Sequence, residues 1–123
     1  MLNTGKIVGF IPTKDSKRAR NFYESVLGLE FESDDQFALV LKSNGTMVRI
    51  AKTEDFKPFP FTVLGWEVQS IEKVAAGLKE RGVIFEKYDG MGQTDLGIWN
   101  APGGSKVAWF KDPDGNLLSI SQH

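Results

Sequence analysis

The chain nearly repeats itself, and this internal repeat constrains the fold more than any other feature of its 123 residues. Residues 43–51 recur in modified form at 112–121, and residues 8–11 have a counterpart at 63–66. A repeat of this kind indicates two similar supersecondary units that face each other across a pseudo-twofold axis. We therefore predict a single domain, residues 1–123, made of two modules at about 1–54 and 60–123.

Composition excludes several classes of function. The chain is 41% hydrophobic and 11% aromatic, which suffices for one core, and its 15 basic and 16 acidic residues are spread along the sequence. A formal charge of −1 gives no basic surface for nucleic acid or an anionic membrane. Residues 1–6 do not resemble a signal peptide, and no apolar run approaches the roughly 20 residues of a membrane span. We expect a cytoplasmic protein.

The scarcity of metal-binding and nucleophilic residues narrows the chemistry further. The sequence contains no cysteine and one histidine, His123. Disulfides, thiolate zinc sites and cysteine nucleophiles are thereby excluded. A mechanism that needs a buried histidine base or two histidine metal ligands also lacks its residues.

The first module has the pattern of a strand, a helix and three strands. Alternating apolar residues predict a strand at 6–11 that ends at Pro12. Asp15 then has the character of an N-cap, and the helix is expected to run through about Leu27 and to end at Gly28. The remaining strands are predicted at 29–33, 36–42 and 46–52.

The second module repeats this order. A strand at 62–68 precedes a helix that is capped by Ser70 and runs to about Arg81, before Gly82. The remaining strands are predicted at 83–88, 106–111 and 117–122. Each module is therefore expected to be βαβββ, in an α+β fold.

Residues 89–105 interrupt the second module with five glycines around Ile98 and Trp99. Two interpretations are open. The segment is either a mobile flap that carries Trp99 over a cleft, or a solvated hairpin with a short extra strand.

Two stretches, 19–29 and 109–118, resemble signatures of the vicinal oxygen chelate superfamily of glyoxalases, fosfomycin and bleomycin resistance proteins and extradiol dioxygenases. The first resembles its first helix, and the second resembles the strand, turn and strand that close its second module. The likeness covers nearly the whole chain. It implies two βαβββ modules whose strands curl around a central cleft, and modules that commonly pair across chains, so we expect a homodimer.

The resemblance also implies four strand positions that hold a divalent metal in most members. In this sequence those positions are Val8, Arg49, Val63 and Ser119. The internal repeat selects the same pairs, Val8 with Val63 and Arg49 with Ser119. None of the four offers the carboxylate, imidazole or amide oxygen that such metals prefer, and Arg49 is itself a cation. We expect no metal and no other cofactor.

Strand alternation assigns side chains to the cleft face or to the helix face. Phe10 falls on the face of Val8, and Glu67 falls on the face of Val63. The opposite faces are expected to pack under the helices: Ile7, Ile11, Val48, Ile50, Leu64, Trp66, Val68, Leu118 and Ile120.

The second module supplies most of the aromatic side chains of the predicted cleft. The strand phase before the turn at 112–115 places Trp109 in the cleft, with Leu39 as its repeat partner. The candidate ligand-binding residues are Phe10, Arg49, Glu67, Trp99, Trp109 and Ser119.

This set favours a metal-independent small-molecule binding protein. An aromatic, apolar cleft with one guanidinium suits an aromatic or apolar organic ligand with an anionic or carbonyl group. Two other roles for Arg49 stay open: neutralisation by Glu67 or a surface acid, and stacking on Trp109.

An enzyme of the same superfamily, of lyase, isomerase or dioxygenase type, is the alternative function. It would be metal-free, with Arg49 stabilising an oxyanion and Glu67 or Tyr23 moving a proton, or it would use unrecognised metal ligands.

Overall fold

The structure, a computed structural model, describes residues 1–123 and divides into two compact units, Met1–Lys57 and Pro58–His123. Each unit contains one four-stranded sheet, and helical segments precede the strands that complete it. The first strand of each unit pairs in parallel with the last strand of the same unit. The predicted α+β fold with two repeated modules is confirmed.

Unit 1 begins with a 3₁₀ turn at Leu2–Thr4. Its helical and strand elements are β1 (Val8–Thr13), α1 (Ser16–Arg20), a π-helical segment (Asn21–Val26), β2 (Glu30–Asp34), β3 (Ala38–Ser43) and β4 (Thr46–Lys52). The sheet order is β1-β4-β3-β2. Asn44 and Gly45, with φ of 48° and 79°, form the tight turn between β3 and β4, as two-residue hairpins require.

The first strand extends further than the sequence indicates. We predicted that Pro12 ends it, but β1 continues through Pro12 to Thr13. Because β1 is an edge strand that pairs only with β4, the missing proline N–H costs no ladder hydrogen bond to a second neighbour. The prediction that Ile7 packs under a helix is also wrong: it precedes β1 and is 80% exposed.

The first helix starts and stops where the sequence indicates, but its middle differs. Asp15 caps it by accepting a hydrogen bond from the Arg18 N–H at 3.1 Å, and Gly28 follows its end with φ of 84°. Between them the predicted continuous α-helix widens into a π-helix, in which the Leu27 N–H donates to the Phe22 carbonyl oxygen at 2.9 Å.

Unit 2 contains β5 (Leu64–Glu67), α2 (Ile71–Glu80), β6 (Trp99–Asn100), β7 (Lys106–Lys111) and β8 (Leu117–Gln122), in the sheet order β5-β8-β7-β6. Ser70 caps α2 and accepts from the Lys73 N–H at 3.5 Å. Ile71 and Ala75 are the buried residues of this helix, which packs on β7 and β8. No helix has the length and apolar content needed to span a membrane.

The predicted strand at 83–88 is wrong. Only an isolated bridge joins Phe85 to Phe110, and the outer position of the sheet is taken by β6. The reason lies in Gln93, whose Nε2 donates to the carbonyl oxygens of Glu86 and Gly97 at 2.9 and 2.8 Å. Its Oε1 accepts from the Tyr88 N–H at 2.7 Å. The Glu86 carbonyl oxygen and the Tyr88 N–H are therefore bonded by a side chain, and only the Glu86 N–H donates to the backbone of β7, to the Trp109 carbonyl oxygen at 2.8 Å.

The glycine-rich segment takes the second of its two interpretations. Trp99 and Asn100 form the short extra strand β6, in register with Val107 and Lys106 of β7. Ile98, immediately before β6, is only 2% exposed and anchors the segment in the core.

Alternation correctly predicts most of the helix-facing residues. Those confirmed as buried are Ile11, Val48, Ile50, Leu118 and Ile120. Leu64, Trp66 and Val68 are half-buried.

Replacing Gln93 with alanine tests its role in this segment. Because the substitution removes three hydrogen bonds to backbone groups, we expect Gln93→Ala to lower the free energy of unfolding by about 1.5–4 kcal/mol. Urea denaturation measures the loss. Gln69→Ala, at an exposed glutamine, is the matched control. Equal stability of the two variants would contradict the role given to Gln93.

Candidate functional site

One face of the unit 2 sheet carries all four candidate residues of that unit. Trp109, Ser119 and Gly65 lie side by side across β7, β8 and β5. The next row joins Trp99, Val107, Ser121 and Glu67 across the same sheet. The alternate residues, such as Phe110 and Leu118, are buried under α2. We call the surface opposite α2 the Trp109 face.

An aromatic cluster of Tyr88, Trp99 and Trp109 dominates the Trp109 face. The Trp109 ring centroid lies 5.7 Å from that of Tyr88 at an interplanar angle of 79°, and 6.1 Å from that of Trp99 at 33°. Both tryptophans are half-buried, and Tyr88 is 40% exposed. Rings held in this way offer an apolar wall to a planar molecule at little further entropic cost.

Sequence reasoning missed Tyr88. The residue falls at the end of the strand wrongly predicted at 83–88, so no face was assigned to it. Burial raises the pKa of the Tyr88 phenol, and the negative charge of Glu86 raises it further, whereas Lys111 acts in the opposite direction. Tyr88 therefore stays neutral at physiological pH and keeps both its O–H donor and its acceptor lone pairs.

Ser119 fills the centre of its row because its neighbour has no side chain. Ser119 is 9% exposed, and a Cβ built on Gly65 would lie 2.7 Å from the Ser119 Oγ. Real Cβ atoms do not approach a hydroxyl so closely, so glycine is required here for the serine to keep its position.

Unit 1 brings together the other two candidates. Phe10 of β1 is in register with Arg49 of β4, which is opposite Val40 of β3. Phe10 is 66% exposed, and Arg49 is half-buried. Val8 and Met47, also in register, lie on the same face.

Arg49 has no salt bridge with a carboxylate of its own unit. Its charge does act on Asp35, whose pKa is lowered first by the N–H groups of Ala38 and Phe37 and to a smaller extent by Arg49. Asp35 is thus a surface acid under the influence of Arg49. Pairing with Glu67 and stacking on Trp109 stay predictions.

The predicted repeat partner of Trp109 is wrong by one residue. Leu39 is fully buried on the opposite face, in register with Ile50. Val40 occupies the position equivalent to Trp109, because it lies opposite Arg49 as Trp109 lies opposite Ser119. A shift of one residue exchanges the two faces of a strand, and alternation alone cannot detect it in a run of buried residues.

Glu67 lies at the exposed end of β5 and lines an open cavity of about 520 Å³ with His123. The His123 ring is within hydrogen-bonding distance of two hydroxyls, Ser105 Oγ at 3.1 Å from Nδ1 and Ser121 Oγ at 3.0 Å from Nε2.

The four positions at which the family resemblance implies metal ligands carry side chains that do not suit a metal. Val8 and Val63 are aliphatic, Arg49 is a cation, and Ser119 offers a single hydroxyl. No group of three His, Cys, Asp or Glu side chains that could hold a metal occurs in the structure. Divalent metals need several oxygen, nitrogen or thiolate donors, so these four residues do not support a metal-assisted reaction step.

The contact between Gly65 and Ser119 can be tested with a double-mutant cycle. We expect Gly65→Ala to destabilise the protein by about 1–3 kcal/mol, because the new methyl group displaces the Ser119 hydroxyl. In a Ser119→Ala background the same substitution is expected to lower the free energy of unfolding by less, and thermal denaturation of the four proteins measures the difference. An identical cost in both backgrounds would rule out the proposed clash.

Several solved structures share this fold. A member of the Glyoxalase/bleomycin resistance protein/dioxygenase superfamily from Sphaerobacter thermophilus DSM 20745 is 24% identical, with a TM-score of 0.77 and 100% of each chain covered. TnmS3, an antibiotic binding protein from Streptomyces sp. CB03234, is 24% identical, with a TM-score of 0.70 over 99% of this chain and 98% of that one. Lactoylglutathione lyase from Agrobacterium tumefaciens is 15% identical, with a TM-score of 0.74 over 97% of this chain and 93% of that one.

No curated protein matches the sequence. The family model for the Glyoxalase/Bleomycin resistance protein/Dioxygenase superfamily matches residues 6–120, nearly the whole chain. The doubled module, the strand register and this match lead to one conclusion: the chain belongs to the Glyoxalase/Bleomycin resistance protein/Dioxygenase superfamily.

Proposed function

We propose that this protein binds an aromatic organic small molecule on the Trp109 face and does so without a bound metal. The observation that carries the proposal is the aromatic cluster, in which Tyr88 and Trp99 flank Trp109 on the sheet face opposite α2. Ser119 and Glu67, on the same face, add a hydroxyl and a carboxylate that orient a ligand. Apolar surfaces with a few polar groups are typical of small-molecule sites.

The comparisons support a binding role at the level of the family. The superfamily includes bleomycin resistance proteins, and one protein with the same fold is an antibiotic binding protein. The replacement of all four family metal positions by side chains with few or no metal donors also favours binding over metal-dependent chemistry.

In this proposal Arg49 is the charge partner of an anionic ligand, and Phe10 is the apolar wall beside it. A half-buried guanidinium loses part of its hydration, and an anion compensates for that loss. The absence of a salt bridge within unit 1 leaves the guanidinium available for a ligand. The homodimer and the cytoplasmic location stay predictions.

Matched ligands test the site. Naphthalene-2-sulfonate and 2-methylnaphthalene share a ring system and differ in charge, and we expect both to change the intrinsic tryptophan fluorescence. Trp109→Leu is expected to weaken the binding of both compounds by at least about 10-fold, because the contact with the indole ring is lost. Arg49→Ala is expected to weaken the binding of the sulfonate alone, by about 5–150-fold.

Arg81→Ala, at an exposed arginine that follows α2, is the control for the loss of a positive charge. An Arg49→Ala variant that binds both compounds as the parent does would remove Arg49 from the site. If neither compound binds to the parent protein, the proposed aromatic site itself is wrong.

Elemental analysis of gently purified protein tests the metal-free proposal. Because Val8 and Val63 offer no donor atoms and Arg49 repels cations, we expect no stoichiometric zinc, nickel, manganese or iron. One equivalent of such a metal per chain, lost on chelation together with ligand binding, would contradict the assignment of these positions.

A further inference from the structure

Unit 2 contains a cavity that none of the predicted site residues lines. Its volume is about 290 Å³, close to the lower limit for small-molecule pockets. Residues 58–60 form one side, and Glu86, Tyr88, Lys111 and Leu117 contribute to the rest. A space of this size accepts one or two fused rings.

The cavity adjoins the Trp109 face. Lys111 and Leu117 are in register across β7 and β8, on the same side of the sheet as Trp109 and Ser119. Tyr88 connects the two regions directly, because its ring both lines the cavity and contacts Trp109 edge-on at 5.7 Å. A flat ligand on the aromatic cluster can therefore extend past Tyr88 into the cavity.

The side of the cavity formed by residues 58–60 is apolar and conformationally restricted. Pro58 and Pro60 fix the backbone beside it, and Phe59 stacks on Phe61 with ring centroids 5.1 Å apart. Gly115 allows Pro58 to approach closely, since a Cβ at that glycine would lie 3.2 Å from the Pro58 Cγ. A pocket held in this way needs little reorganisation when a ring enters.

One ion pair supplies the polar groups of the cavity. Lys111 Nζ lies 3.4 Å from Glu86 Oε1, longer than a direct charge-assisted hydrogen bond of about 2.8 Å. One oxygen atom can contact both groups, accepting from the ammonium and donating to the carboxylate. A ligand anion would be repelled by Glu86 and a cation by Lys111, whereas a neutral hydroxyl complements both.

We infer that this cavity binds the phenolic ring of a hydroxylated aromatic ligand, with the hydroxyl between Lys111 Nζ and Glu86 Oε1 and Tyr88 at the ring. The inference rests on the proposed function and deepens it, because it names a neutral phenol as the chemical group recognised at this end of the site. The matching elements are the charge-balanced pair, the ring-lined side of the cavity and Tyr88, which lines the cavity and contacts Trp109.

Calorimetric titration with 2-naphthol and 2-methoxynaphthalene tests the inference. Both carry the same rings and an oxygen acceptor, but only 2-naphthol can donate to Glu86. We expect the parent protein to bind 2-naphthol about 10-fold more tightly, the difference that one hydrogen bond to a charged group produces. Glu86→Met is expected to reduce this ratio to within about twofold, whereas Lys111→Met is expected to weaken the binding of both compounds and to leave the ratio unchanged, because both oxygens accept from the ammonium.

A second ion pair of unit 2, between β7 and α2, provides matched controls. Lys106 Nζ and Glu72 Oε1 are 2.7 Å apart and do not line the cavity, so Glu72→Met and Lys106→Met are expected to keep the 10-fold ratio. Because the ratio compares two ligands on the same variant, a general loss of stability does not change it.

Each outcome has a distinct meaning. Equal affinities in the parent protein, or a ratio that persists in Glu86→Met, would overturn the phenol site while leaving aromatic binding intact. Failure of both naphthalenes to bind the parent would overturn this inference together with the proposed function.

Discussion

The structure depends on the parallel pairing of the first strand with the last strand in each unit. This pairing places Phe10 beside Arg49 in unit 1 and Gly65 beside Ser119 in unit 2. Side chains of paired strands alternate between two faces in step, so this register decides which residues lie under the helices and which face away from them. The candidate binding residues all belong to the group that faces away from the helices.

Identical register carries different side chains in the two units. The central row of unit 1 is Phe10, Arg49 and Val40, and that of unit 2 is Gly65, Ser119 and Trp109. One row therefore presents a cation beside an exposed ring, and the other presents a large ring beside a small hydroxyl. A duplicated backbone thus supports two surfaces with different chemical preferences.

The segment between α2 and β7 gives unit 2 its own character. Gln93 bonds the Glu86 carbonyl oxygen and the Tyr88 N–H, where a regular strand would pair with a neighbour. The outer strand of the sheet is β6, which carries Trp99 to the Trp109 face. The same arrangement leaves Tyr88 against Trp109 and Glu86 beside Lys111. One glutamine side chain therefore supports both the aromatic cluster and the polar pair of the adjoining cavity.

The sequence by itself determined the doubled module, the caps at Asp15 and Ser70, the helix end at Gly28 and most of the buried faces, because these depend on local conformation and on a period of two or 3.6 residues. Only the tertiary structure decided the fate of residues 83–88, the exchange of Leu39 for Val40, and the neighbours of Tyr88. Each depends on side-chain hydrogen bonds that periodicity does not encode, on a contact between residues distant in the chain, or on a one-residue choice of register that apolar periodicity leaves undetermined.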